Sequence, residues 1–256
     1  MLTNLLKAIL PGPPLNLLKK IKFTVLRMLD SFRTPEKIFT DIYRKNLWGG
    51  TSPELYSGLG SRLDEIVLPY IQSVIKTIKQ SGIDNPQIVD LGCGDFYVSR
   101  FLIEHCSKFI GTDVVKEIIE SNRAKFSANN VEFMHLDITK DDLPDADICI
   151  VRQVLQHLTN KQIIMVISKL PKYKLIIITE HYPPDNPLIK PNIDKTHGAD
   201  IRLQYNSGVY LDQPPYNIPS DALTLLLEVK INPIGTIDPG VIRTFLLKGE
   251  SVSIGR

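Results

Sequence analysis

With 256 residues the chain can bury a full core as one α/β domain with an extension. Its 30 Lys and Arg against 28 Asp and Glu leave a formal net charge of +2, too even a balance for a protein whose main task is coating nucleic acid. Three cysteines with no C-x-x-C pair, and no Cys/His cluster at ligand spacing, predict a cytoplasmic, disulfide-free protein and argue against a structural metal site.

No apolar run approaches the roughly 20 residues needed to span a bilayer. The first stretch has Lys7 within it, Pro11-Gly12-Pro13-Pro14 after it and no small-residue cleavage site, so it reads as neither a signal peptide nor an anchor. Beyond the prolines, Leu18, Ile21, Val25, Met28, Leu29 and Phe32 recur at three- and four-residue steps, with Lys19, Lys20, Lys22 and Arg27 largely elsewhere around the helix. Residues 1–35 therefore read as an amphipathic helical extension. It packs on the domain or on a second subunit of a homodimer, or else rests through residues 15–32 on an anionic membrane, at its inner face.

Residues 36–62 hold Tyr43, the single tryptophan Trp48, Gly49-Gly50 and Ser57-Gly58-Leu59-Gly60-Ser61-Arg62, a glycine and serine density that predicts a loop. Ile66, Tyr70, Ile71, Val74, Ile75 and Ile78 then give a helix over 63–80, closed by Gly82. Next comes Ile88-Val89-Asp90-Leu91-Gly92-Cys93-Gly94-Asp95, an apolar run ending in a tight turn, with helical spacing over 97–106 behind it. Glycine tolerates positive φ and lets backbone N–H groups approach a ligand. The dinucleotide pattern G-x-G-x-x-G lacks its third glycine, which disfavours pyrophosphate and a nicotinamide-dependent reductase. Acids two positions before the first glycine and directly after the second suit a ligand with a cationic amine and hydroxyls.

Lys108-Phe109-Ile110-Gly111-Thr112-Asp113 is a second strand, followed by a helix over 115–127. Asp113 can accept two ribose hydroxyls from there, or can serve as a helix N-cap. Strands follow over 131–137, 146–151 and 174–180. Arg152, Gln153, Gln156 and His157 come directly after the fourth strand, where ligands of an open parallel sheet collect, and a helix then runs to Leu170. Residues 181–219 form a long polar, proline-rich insertion whose Tyr, Leu and Val content argues against disorder. Asp194, His197 and Asp200 lie within it, without neighbours that force a metal site. Strands over 225–231 and 241–247 end the chain.

The run Asp90-x-Gly92-x-Gly94 resembles motif I of the class I S-adenosylmethionine (SAM) dependent methyltransferases, written there as acidic-x-Gly-x-Gly-x-Gly, with Phe96 at the third glycine. The resemblance covers residues 60–248. It implies a Rossmann-like α/β fold: seven mostly parallel strands, helices on both faces, and a last, antiparallel strand inserted between the fifth and sixth. The methyltransferase domain would span 36–256. SAM would be the cofactor, held by Asp90, Gly92, Cys93, Gly94, Asp95, Asp113 and Val114, by Asp137-Ile138 at the adenine, and by Arg152 and Gln153 after the fourth strand. Tyr43, Trp48, Gly60, Ser61 and Arg62 would form a lid over the methionine end.

The implied reaction is an in-line attack of an acceptor oxygen or nitrogen on the sulfonium methyl group, with His157 and His181 as candidate general bases for a hydroxyl. Tyr43, Trp48, Gln156, His197, Arg202 and Tyr210 are the candidate acceptor-binding residues, and no metal is assigned. The pattern resembles methyltransferases acting on small molecules or on saccharides of surface glycans. An RNA methyltransferase is the weaker alternative, for want of a basic patch interleaved with aromatics. A non-catalytic subunit of the same fold is another, opposed by the intact Asp90, Gly92, Gly94 and Asp113.

Overall fold

The computed structural model describes residues 33–51, 54–126, 128–232 and 238–252. The expected extension over 1–35, its membrane-facing stretch 15–32 included, falls almost wholly outside them. Among the described residues no helix is long and apolar enough to cross a membrane.

Seven strands form one sheet in the order β3-β2-β1-β4-β5-β7-β6. They are β1 (Gln87–Leu91), β2 (Lys108–Asp113), β3 (Val131–His135), β4 (Ile148–Arg152), β5 (Leu175–Tyr182), β6 (Thr224–Ile231) and β7 (Gly240–Lys248). The first five pair in parallel, and β7 lies antiparallel between β5 and β6, as the resemblance implies. β4 and β5 are near-continuous apolar runs because both of their faces are covered.

On one face of the sheet α2 (Asp64–Gln80) packs Val67, Tyr70, Val74 and Ile78 against Ile88, Ile148 and Ile177. α3 (Lys116–Lys125) sends Ile119 into the same cluster and Ile118 into the opposite one, where α4 (Asn160–Ile167) covers Val89, Val151, Ile176 and Ile178. α4 starts sharply because Thr159 and Gln162 form a reciprocal capping box. β1 and β4 are neighbours whose crossovers leave toward opposite faces, so their carboxyl ends open a crevice.

Three expectations change. The stretch 36–62, predicted as loop, begins with a helix, α1 (Pro35–Arg44), capped by Thr34 and started by proline. Ile38, Phe39, Ile42 and Tyr43 recur at helical spacing and sit in the main core, each buried aromatic stabilising by about 1.5–3 kcal/mol. The helix predicted over 97–106 is a 3-10 run, Ser99–His105. The insertion begins after Tyr182 and packs through Val209, Leu211, Tyr216 and Ile218, with one 3-10 turn at Arg202–Tyr205.

Candidate active site

A cleft of about 470 Å³ lies across the carboxyl ends of β1, β2, β4 and β5. Asp90, Gly92, Cys93, Gly94, Asp95, Asp113, Val114, Asp137, Ile138, Arg152 and Gln153 all line it. So do Tyr43, Trp48, Gln156, His157 and His181. Sequence patterning thus gathers residues more than a hundred positions apart into one cavity.

The glycine bend departs from expectation in what its glycines do. Gly92 and Gly94 take φ of +81° and +54°, and Phe96, at the family's third glycine, takes +60°. The left-handed conformation costs a non-glycine residue about 1–2 kcal/mol. Phe96 offsets that by full burial among Phe109, Phe126 and Phe133, with ring centroids 4.9 to 5.4 Å away. The turn shape therefore survives without the glycine.

The N–H groups of the bend do not open onto the cleft. Gly92 and Cys93 donate to the Thr112 carbonyl (2.9 and 2.8 Å), Gly94 to Asp113 Oδ2 (3.1 Å) and Asp95 to Ser57 Oγ (2.8 Å). A Cβ on Gly92 would lie 2.6 Å from Val154 Cγ2, and one on Gly94 would meet Ser57 Oγ. The glycines are needed for their φ and for close packing on the chain itself.

Four carboxylates border the nucleoside-sized end. Asp113 accepts from Val115 N (2.9 Å) and Gly94 N, and burial pushes its pKa up to about 6. Asp90 accepts from Ser99 Oγ (2.5 Å) and is likewise raised by burial to about 6. Asp137 holds Thr139 through its N–H (3.0 Å) and Oγ1 (2.6 Å), with Ile138 buried beside it. Asp95 is committed elsewhere: its carboxylate accepts from Arg62 Nη2 (2.7 Å), Ser57 N (3.0 Å) and Tyr97 N (3.2 Å). It fastens the glycine-rich lead-in to the bend.

At the other end Arg152 donates to the Gly60 carbonyl (3.1 Å) and lies 5.0 Å from the Tyr70 ring centroid. Among the described residues no carboxylate pairs with it, and its Nε has no partner. The turn Leu155–His157 presents Gln156 and His157. His157 donates from Nδ1 to the Gly198 carbonyl (3.0 Å), which leaves Nε2 as acceptor, 3.5 Å from Gln156 Nε2. Its ring packs on Trp48 and Phe39, with centroids 5.1 and 6.3 Å away. Burial, reinforced by Lys195, holds its pKa down at about 3. His181, on β5, is pushed down to about 4 by burial alone. Gln156 Oε1 and His181 Nε2 are buried without a partner.

Three candidate acceptor-binding residues lie outside the cleft lining. Arg202 is fully buried and spends its guanidinium on carbonyls of the turn and on Asn160. The His197 ring donates to the Arg33 carbonyl (3.0 Å), and Tyr210 stacks on Tyr182 with its N–H on Asn192 (2.8 Å). The wall of the cleft comes instead from their neighbours Ala199, Asp200, Ile201 and Gln204. Asp194 accepts from Asn160 N (2.7 Å), and among the described residues no three His, Cys, Asp or Glu converge on a metal position. Sequence patterning also misses Phe39, whose helical spacing on α1 was the available signal, and Ser57 and Glu180, which carry none.

The donor and acceptor set fits SAM. Acids predominate where a nucleoside's hydroxyls and amine would lie, no N–H cradle is offered to a pyrophosphate, and the orphaned Arg152 Nε suits the carboxylate of an amino-acid end.

Residues 88–172 match the family model described as a methyltransferase domain. No curated protein matches the chain in sequence. The N-methyltransferase NodS from Bradyrhizobium japonicum WM9, solved with S-adenosyl-L-homocysteine, shares the fold. Its TM-score is 0.52 at 13% identity, over 82% of this chain and 98% of that one. Magnesium protoporphyrin IX methyltransferase (ChlM) from Synechocystis PCC 6803, solved with SAM, gives 0.51 at 13% identity, over 84% and 97%. Residues 88–172 thus form a methyltransferase domain within a Rossmann-like fold. The matched stretch runs from β1 to just short of β5, and the fold around it is the one found in class I SAM-dependent methyltransferases.

Proposed function

We propose that the protein transfers the methyl group of SAM to a hydroxyl or amine of a small polar acceptor, saccharides included. One observation carries this reading: Gln156 Oε1 and His181 Nε2 are buried, unpartnered and on the same cleft as Asp113. Buried polar atoms are almost always satisfied, so orphaned atoms on residues that line a cleft point to the polar groups of a ligand. A cleft of this size, walled by Trp48 and the insertion, suits a small molecule.

In this reading Asp113 takes the ribose hydroxyls, Asp137 and Ile138 the adenine, and Arg152 and Gln153 the amino-acid end. Bound SAM supplies an electrophilic methyl group on a good leaving group. The chain's own residues contribute alignment and proton removal, and alignment alone is worth about 7–11 kcal/mol. We assign His181 as the base for a hydroxyl, because burial keeps it neutral at pH 7 and its Nε2, packed beside Gly240, has no hydrogen-bond partner. His157 is held between Gly198 and Gln156 and serves as wall and acceptor contact. Residues 15–32 would pack on the domain or on a second subunit, or rest on an anionic membrane; flotation with liposomes, with and without residues 1–35, separates the membrane reading from the other two.

The test is incubation of the protein with methyl-labelled SAM and fractionated cell extract, followed by mass identification of the product. A labelled small polar molecule or glycan precursor is the expected product. Label in RNA, or no SAM retained at millimolar concentration, overturns the proposal.

A further inference from the structure

The turn that carries Gln156 and His157 is bracketed by two charged side chains. Glu180, 1% exposed near the end of β5, accepts Leu155 N on Oε1 (2.8 Å) and Gln156 N on Oε2 (3.0 Å). From the insertion, Arg202 donates Nη1 to the carbonyls of Leu155 and Gln156 (3.2 Å each). Its Nη2 goes to the Leu158 carbonyl (2.9 Å) and to Asn160 Oδ1 (2.8 Å). The N–H groups of two successive residues are thus held by a carboxylate and their carbonyls by a guanidinium. The charges are not within ion-pair distance of each other.

Burying a carboxylate and a guanidinium that are not paired is unfavourable. Neutral groups would cap a three-residue turn just as well. What this pair adds is a two-point hold on successive peptide groups: both Glu180 oxygens accept N–H donors, which favours the ionised form although burial pushes its pKa up to about 8, and such hydrogen bonds in a low-dielectric interior are directional. The insertion contributes at a second point, where Gly198 donates its N–H to the His157 carbonyl (3.0 Å) and accepts from the His157 ring (3.0 Å). Arg202 is itself seated in the insertion by its Nε–H on the Ile193 carbonyl (3.1 Å). Its partner Asn160 Oδ1 also receives the Tyr216 hydroxyl (2.7 Å).

We propose that Glu180 and Arg202 are positioning residues that fix Gln156 and His157 at the methyl-transfer end of the cleft, so that the insertion sets the reaction geometry through Arg202. This rests on the methyltransferase reading above. The clamp touches neither SAM nor acceptor, and it acts through the backbone of the turn.

The test uses the full chain with Glu180→Gln, Glu180→Asp and Arg202→Lys. Three quantities are read: label transfer from SAM into the extract acceptor, S-adenosylhomocysteine affinity by calorimetry, and the 15N resonances of the His157 ring. Transfer should fall about tenfold or more, since small misplacements at a reacting centre have effects of that order. Affinity should stay within about threefold, because the nucleoside contacts lie at the other end. The His157 Nδ1–H signal should shift or broaden. Unchanged transfer, an unchanged His157 signal, or a joint loss of affinity, transfer and melting temperature overturns the clamp. Should Glu180→Gln fail to fold, Glu180→Asp and Arg202→Lys decide. A wild-type protein that does not bind S-adenosylhomocysteine defeats the cofactor reading instead, and the His157 resonances of the variants still decide whether the clamp holds the turn.

Discussion

At the β2–β3 end of the cleft the cofactor-facing acids are held mostly from nearby: Asp113 takes the N–H of Val115, and Asp137 binds the backbone and hydroxyl of Thr139 two residues on. At the β4–β5 end the holders come from far along the chain. Glu180 binds Leu155 at a separation of 25 residues, Gly198 binds His157 at 41, and Arg202 binds Leu155 at 47. The first end is a set of strand-to-turn motifs that any parallel sheet presents. The second is held by β5 through Glu180 and by the docked insertion through Gly198 and Arg202.

In the proposed function the first end binds SAM and the second meets the acceptor, and Asp113→Ala strains that division most. Two hydrogen bonds to an ionised acid are worth about 1.5–3 kcal/mol each, so SAM affinity should drop about 10² to 10⁴-fold by calorimetry. The pH dependence follows from the same group. With its ligand-free pKa raised to about 6, Asp113 is protonated below that value, so affinity should fall as pH drops through 6. Stability runs the other way for this acid: its raised pKa stabilises fully below 3.8 and is lost as pH rises through about 6. Thermal melts of Asp113→Asn should show that pH dependence removed.

His181→Gln probes the far end. For a hydroxyl acceptor, transfer should fall about 10² to 10³-fold while S-adenosylhomocysteine still binds. His157→Gln, with its ring nitrogens already engaged, should cost transfer roughly tenfold at most. Equal losses of binding in either variant would mean that the two ends are not functionally separate.

How much of this could be seen beforehand tracks the same divide. The acid-flanked bend and Asp113 follow from short apolar runs with fixed spacing, Asp137-Ile138 from the family resemblance, and all of them line the cleft. Within the bend, φ was foreseeable but partners were not: the space beside Gly94 belongs to Ser57, 37 positions earlier. α1 was hidden by the glycine-rich stretch behind it, although Ile38, Phe39, Ile42 and Tyr43 have helical spacing. Arg202 and Tyr210 looked like ligand contacts because a polar insertion invites that reading. A charged residue's long-range partners leave no periodic trace, so nothing in the sequence marked Glu180 on β5 or Arg202 in the insertion as holders of the Leu155–His157 turn.

Gly92 is the seam between the two ends, since Val154 of the β4 turn fills the space beside it. Gly92→Ala adds a methyl group at φ +81° against that side chain. Overpacking and left-handed strain together should remove about 2–4 kcal/mol in a denaturant melt. A Gly92→Ala, Val154→Ala pair should recover the packing share and leave the strain, which separates the two contributions.

The smallest effect belongs to the lead-in that roofs both ends. Asp95 ties it down through Arg62 and Ser57, and Arg62 in turn stacks over Tyr97 at 3.8 Å and Tyr56 at 5.1 Å. Asp95→Asn keeps the shape and the Tyr97 contact but removes the charge that faces Arg62. The pair is only partly buried, so solvent screens it and equilibrium affinity for S-adenosylhomocysteine should weaken only about twofold to fivefold. If the lead-in acts as a lid, the loss should fall in the dissociation rate. Emission of Trp48, the single tryptophan, packed between Tyr43 and His157, reads that rate directly in stopped flow. An unchanged dissociation rate would mean that the lead-in is a fixed wall, with Asp95 bracing the bend alone.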